Sequence, residues 1–302
     1  MHVTFRPLAG AEELPLFLQF PYELNDEVGD DLVRGNRRPG WLWIAERDGA
    51  VVARAGWWSR PGAAEPYLMD FLDFAPGQDD AAEALVRAAL DVLVPQGKTP
   101  PEYLRFVPPD WRDDDAVPHR MAVLERLGAR LLVERRRLEW RPGTAIAPDD
   151  GRLVFRSFAG TDEALDLMTR TVAGTLDAHH RADLARMSER AVAEEHLHGE
   201  LERYSSPQEW WRVATLPGGE PVGFVFPARN DYGPILAYIG VLPEHRGHGW
   251  IDPILAEGTR ILAAHDIPRI RASTDVGNVP MARAFARGGY VNYQNQIDMT
   301  WE

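Results

Sequence analysis

The run VLPEHRGHG, residues 241–249, followed by WIDPILAEGTRILAAH, sets one arginine and two glycines between an apolar strand-like stretch and a helix-like stretch. Ile254, Leu255, Ile261 and Leu262 recur at helical spacing, and Pro253 falls in the first turn, where its missing N–H costs little. Arg246 to Asp252 therefore turn a strand into a helix, with unpaired backbone N–H groups at the positive end of the helix dipole. Such a turn holds phosphate or pyrophosphate where side chains leave room, and Gly247 and Gly249 leave it. In this reading Arg246 adds a charged hydrogen-bonding fork. The plainer alternative is a tight turn that uses glycine only for its positive φ.

A second chemistry-bearing stretch is TLDAHHRADLARMSERAVAEEHLHGE, residues 175–200. His179, His180, His196 and His198 do not follow the HExxH spacing and no second ligand set follows, so a solvated helix face or substrate wall is expected, and no metal. Asp177 and Glu195 read as ordinary surface charge that would also attract a cation. The pairs Trp57, Trp58 and Trp210, Trp211 read as strand-core packing. The sequence contains no cysteine, which removes disulfides, thiol nucleophiles and thiolate metal sites.

The elements that position these residues occur twice. FRPLAGAEE begins at Phe5 and FRSFAGTDE at Phe155; WIAERDGAVVARAGWW and WRVATLPGGEPVGFVF both read as hairpins; LERLGARLLVERRRLEW and FARGGYVNYQNQIDMTW close the two halves. Between them RPGTAIAPDDG, rich in Pro, Gly and Asp, reads as a linker. The expected organisation is a first domain over residues 1–141, a linker over 142–151 and a second domain over 152–302. Each runs strand, one or two helices, hairpin, strand, helix, strand, helix and final strands, a mixed α/β arrangement with helices on a sheet. In the first half Asp79 and Asp80 stand near the start of the helix that corresponds to WIDPILAEGTRILAAH, where they would repel an anion.

Composition narrows the partners. A length of 302 residues with 45% hydrophobic content suits a globular chain, and a net charge of -13 argues against a nucleic-acid partner. A cationic small molecule is easier to accommodate. MHVTFRPLAG lacks a secretory pattern and no apolar run approaches a membrane span, so a cytoplasmic protein is expected.

Two stretches carry a family resemblance. V-x-P-x-x-R-G-x-G at Val241–Gly249, with TDVGNVPMARAFARGGY at Thr274–Tyr290 after it, resembles the acyl-coenzyme A signature of the GCN5-related N-acetyltransferases. The resemblance implies an α+β fold of two tandem domains of that type, each a mostly antiparallel twisted sheet flanked by helices, the first degenerate. It implies acetyl-CoA as acyl donor, with Arg246, Gly247, His248, Gly249, Trp250 and Ile251 around the pyrophosphate, Ile239, Gly240 and Val241 pairing with the pantetheine arm, and Asn278 fixing the cofactor. Three positions depart from the pattern: Ile251 replaces a small residue, Asp252 adds a negative charge, and Phe285 stands where the family often has a thiolate-protonating tyrosine.

The resemblance thus implies an acetyl-CoA-dependent N-acetyltransferase acting on a small-molecule amine by direct attack, as a monomer or homodimer, with a non-catalytic acyl-CoA-binding or regulatory protein as the alternative. The developing oxyanion needs a donor, which a backbone N–H around Ile239 to Val241 would supply. The strand ILAYIGV offers no carboxylate as general base. Tyr238 within it, Asp231 just before it and Asp275 after the next strand are the catalytic candidates.

Overall fold

The computed structural model describes residues 3–302, in two compact units. Unit 1 takes the described residues up to Glu134 together with Gln296–Glu302, and unit 2 takes Arg135–Asn295. Both are α+β, as expected.

Unit 1 begins with β1 (Val3–Pro7), α1 (Leu14–Phe17), α2 (Asn25–Arg34), β2 (Leu42–Arg47) and β3 (Ala50–Trp58). It continues with β4 (Leu68–Phe74), α3 (Asp79–Leu93), β5 (Glu102–Val107), α4 (Ala116–Arg126) and the start of β6 (Arg130–Trp140). Asp48 and Gly49, both at positive φ, make the tight turn between β2 and β3. Strands β1 to β4 are antiparallel neighbours and β5 lies parallel to β4.

Unit 2 contains β7 (Val154–Arg156), α5 (Thr161–Val172), α6 (Ala178–Leu184), α7 (Glu189–Gly199), β8 (Arg212–Thr215) and β9 (Pro221–Asn230). It continues with β10 (Gly233–Val241), α8 (Ile251–Ala263), β11 (Ile270–Asp275), α9 (Val279–Arg287) and the start of β12 (Val291–Thr300). Its strand order is β7, β8, β9, β10, β11, β6, all antiparallel neighbours except β10 and β11.

The closing strands differ from expectation. Each half ends in one strand, and that strand crosses over. Residues 135–140 of β6 pair with β11 from Arg135↔Asp275 to Trp140↔Ile270, and Leu138 and Trp140 complete the apolar core of unit 2. Ile297 and Met299 of β12 pack with Trp57, Leu85 and Val123 in the core of unit 1. The expected boundaries at 141 and 152 followed chain order, whereas the compact units divide at 134/135 and 295/296 because each core is finished by apolar side chains from the other half.

In unit 2 the sheet is covered on both faces. Leu236, Ile239 and Val241 of β10 face α8 and α9, beside Ile254, Leu255 and Phe285. Tyr238 faces the other way, toward Leu165, Leu197 and Phe224 in the cluster under α5 and α7. Gly258 lets α8 lie close to the sheet, since a Cβ there would sit 2.7 Å from Val225. The histidine-rich stretch forms two helices because each has its own cap: Asp177 accepts from the His180 N–H at 3.0 Å, and Ser188 from Ala191 at 3.2 Å. Among the described residues no helix is long and apolar enough to cross a membrane.

Candidate functional site

Strands β10 and β11 pair at Ile235↔Arg271 and then part. The edge of β10 that faces β11 beyond this point is left without a strand partner. A bulge between Leu236 and Tyr238, read against β9, bends the strand at the place where the two separate. The divergence makes a cleft open to an extended ligand that can take up the backbone groups of Ile239 and the N–H of Val241 as a strand would, whereas Gly240, two residues before Leu242, whose N–H bonds Val222, turns its own groups toward β9. Gly240 is needed for packing, because a Cβ would lie 2.6 Å from Thr171 of α5.

The cleft leads to the glycine turn. Gly247 has φ +82 and Gly249 φ +77, and no atom lies within 4 Å of the Cβ position at either. Both glycines are therefore required by conformation, and the space beside them is open. Among the described residues the N–H groups of Gly247, His248, Gly249 and Trp250 have no hydrogen-bond acceptor. They stand at the start of α8, where the dipole favours an anion. Trp250 packs partly against the apolar core and carries the Arg152 guanidinium 5.1 Å from its ring centre, His248 is exposed, and Ile251 is the first residue of α8.

Arg246 has another task than the expected fork. Its Nε donates to the Val241 carbonyl at 3.1 Å, Nη1 to Ala173 at 3.0 Å and Gly174 at 3.3 Å, and Nη2 to Thr171 at 2.8 Å. The C-terminal carbonyls of α5 lack intrahelical partners and form the negative end of its dipole, so they draw the guanidinium away from the turn's anion face. Arg246 thus clasps β10, the turn and α5 together.

Asn278 caps α9, its Oδ1 accepting from Met281 at 3.3 Å. Asp252 is neutralised by Arg287 of α9 at 2.7 Å. Phe285 does not face the cleft: it is 1% exposed, in the core, with its ring centre 5.1 Å from that of Tyr290. The hydroxyl of the neighbouring Tyr290 pairs with Thr259 at 2.8 Å.

On the opposite face of the sheet Tyr238 meets two histidines. Ring centres lie 4.6 Å apart for His196–Tyr238, 5.8 Å for His180–Tyr238 and 5.4 Å for His180–His196. Spacing in sequence could not reveal this group, since the bulge and the fold of α6 against α7 bring it together. Tyr238 is half-buried, its hydroxyl makes no hydrogen bond among the described residues, and burial raises its pKa far above the ordinary value. Burial also lowers the pKa of His196, whose Nδ1 has no partner. Among the described residues no group of three or more acidic or histidine side chains is placed to hold a metal ion.

Beside this group Arg135 bridges Asp275, at 3.2 Å, and Asp177, at 3.6 Å. Burial, with the Asp177 charge added, pushes the Asp275 carboxyl up; for Asp177 burial is outweighed by Arg135 and His180, and its carboxyl titrates below the usual range. Asp275 is 3% exposed and accepts the Ala178 N–H at 2.7 Å, which fits it to anchor α6 rather than to meet a substrate. Asp231 lies in the β9–β10 turn, seven residues before Tyr238. At about 3.3 Å per residue that is on the order of 20 Å along the strand, too far for the same chemistry.

Unit 1 repeats the splay and closes it. Strands β4 and β5 pair at Leu68↔Glu102 and Met69↔Tyr103 and then part. Arg120 of α4 donates to the Leu72 carbonyl at 2.8 Å and to Asp73 at 2.9 Å. Asp73 is also bound by Arg54 and Arg105, at 2.8 and 2.9 Å. The strand edge is occupied by the chain's own side chains, and Asp79 and Asp80 sit in the first turn of α3.

No family model matches the sequence, and no curated protein matches it. Solved structures do. A GCN5-related N-acetyltransferase from Sphaerobacter thermophilus is 14% identical with a TM-score of 0.62, over 99% of this chain and 95% of the other. A tandem GNAT protein from the clavulanic acid biosynthesis pathway, solved without AcCoA, is 15% identical with a TM-score of 0.55, over 99% and 98%. The glucosamine N-acetyltransferase region of a fungal multi-domain GH3 β-N-acetylglucosaminidase is 14% identical with a TM-score of 0.58, over 99% of this chain and 38% of the other. Along nearly its whole length, the chain has the fold of the GCN5-related N-acetyltransferases.

Proposed function

We propose that the chain is an acetyl-CoA-dependent N-acetyltransferase that acylates the amine of a small molecule, with the donor held by unit 2. One observation carries the reading: the cleft between β10 and β11 opens onto unpaired N–H groups at Gly247, His248, Gly249 and Trp250. A pyrophosphate fits that cradle, and an extended arm fits the free strand edge. Bound there, acetyl-CoA would supply an acetyl group activated as a thioester.

The chain's own residues position the reactants and move protons. Tyr238, kept protonated by burial, is the proton donor for a departing thiolate, replacing a group at the core position Phe285. His180, half-buried and in the same ring group, is the base for the acceptor amine. Asp177 and Asp275 hold α6 in place through Arg135. Asn278 fixes the start of α9 at the rim of the cleft.

Coenzyme A release in the presence of an amine panel tests the reading. Acetyl-CoA binding with turnover of one or more amines supports it; binding without any turnover would make the chain an acyl-CoA-binding protein.

A further inference from the structure

The face of the sheet that carries Tyr238 continues across unit 2. Residues alternate along β11, so Arg271, Ser273 and Asp275 share a side, and Asp275 fixes it as the α6 side by accepting the Ala178 N–H. Their partners on β6 are Glu139, Arg137 and Arg135. Beside them Tyr293 of β12 has its ring centre 5.5 Å from the guanidinium carbon of Arg137 and 5.5 Å from that of Arg271.

Apart from Arg271, the charged groups on this face each have an acidic, basic or amide partner. Arg135 serves Asp177 and Asp275, Arg137 donates to Gln294, and Glu139 binds Arg141 at 2.5 Å and Arg269 at 3.5 Å. Arg271 stands opposite Glu139 in register, yet has no ion-pair or hydrogen-bond partner among the described residues. Its Nε is buried without an acceptor, and so is the Tyr293 hydroxyl. A buried donor left without an acceptor is unfavourable, so the Arg271 Nε and the Tyr293 hydroxyl, on side chains whose guanidinium carbon and ring centre lie 5.5 Å apart, point to a ligand that fills them. The exposed Ser273 hydroxyl lies on the same side, one step toward the reacting end of β10.

We propose that Arg271, with the Tyr293 hydroxyl beside it, binds a carboxylate of the acceptor, so that the amine acetylated by this chain belongs to an amino acid. The inference rests on the acetyltransferase reading and names its substrate class. A planar guanidinium matches a carboxylate bidentately. A carboxylate over β11 and β6 leaves the amine directed toward β10, whose Tyr238 lies beside His180 of α6.

The experiment pairs free amino acids with the amines formed by their decarboxylation: β-alanine with ethylamine, γ-aminobutyrate with propylamine, phenylalanine with phenethylamine. Coenzyme A release is measured for the wild type, Arg271→Ala, Arg271→Lys and Tyr293→Phe, with calorimetry of acetyl-CoA on each. The expected result is a kcat/KM at least 30-fold higher for one or more amino acids than for the matched amine. Arg271→Ala should erase that ratio mainly through KM and leave acetyl-CoA affinity unchanged, with Arg271→Lys intermediate and Tyr293→Phe a few-fold weaker than wild type. Preference for the decarboxylated amine, an equal loss for both members of a pair, or bound acetyl-CoA with no amino acid turned over would overturn the proposal. Failure to bind acetyl-CoA would strike the acetyltransferase reading itself.

Discussion

The Arg246 guanidinium donates to the carbonyl of Thr171 at 2.8 Å, tying the glycine turn of unit 2 to the last turn of α5. Because Thr171 also touches β10 at Gly240, one side chain couples the anion cradle to the strand edge and to the helix that leads into the histidine group.

Arg246→Ala should therefore weaken acetyl-CoA binding without removing any direct contact to it. The guanidinium is exposed, so the loss of stability is about 1–2 kcal/mol. Arg246→Lys should recover little, since an ammonium cannot reach four carbonyls in a fork. Thermal melts with and without acetyl-CoA separate the two effects: a variant with wild-type affinity would show that the clasp is not needed.

Tyr238→Phe keeps the ring packed and deletes the hydroxyl. Its kcat should fall about 100-fold with acetyl-CoA affinity unchanged, and His180→Gln should do the same. Full activity in either variant would remove that residue from proton transfer.

His196 gives stability a pH dependence. Burial holds its folded pKa below the unfolded value of about 6.5, so the unfolded chain binds the proton more readily between the two. Stability is then fully present above the unfolded pKa and falls as pH drops toward the folded one. The surrounding groups Glu200, His180, Asp177 and Arg135 remain in place in His196→Gln. The wild type should lose more stability than this variant as pH falls below about 6.5; parallel curves would contradict the assignment.

Unit 1 should bind no donor. Calorimetry should return one acetyl-CoA per chain, because Arg120 occupies the Leu72 carbonyl and Asp79 and Asp80 repel phosphates. Arg54, fully buried on Asp73, is structural: Arg54→Ala should cost about 3–5 kcal/mol, read as a lost or lowered melting transition. Two equivalents of bound donor would refute the sealed cleft.

Local chemistry was readable from the chain alone, and distant pairing was not. Gly247, Gly249 and Pro253 announce a turn into a helix because their conformational demands are local. The purpose of Arg246 was hidden because its acceptors, Thr171, Ala173 and Gly174, lie on an element remote in sequence. His180, His196 and Tyr238 sit on three elements, so no spacing could group them. The crossing of β6 and β12 was equally invisible, since an alternating closing strand suits either core.

The most direct test compares thermal melting of the wild type and Gly249→Glu with acetyl-CoA. The substitution forces a side chain onto a residue at φ +77 and puts a carboxylate at the cradle. At 100 times its dissociation constant the donor should add about 2.7 kcal/mol, a rise of several degrees in Tm, to the wild type alone. An equal rise in both proteins would place the donor elsewhere, and no rise in the wild type would contradict the acetyltransferase account.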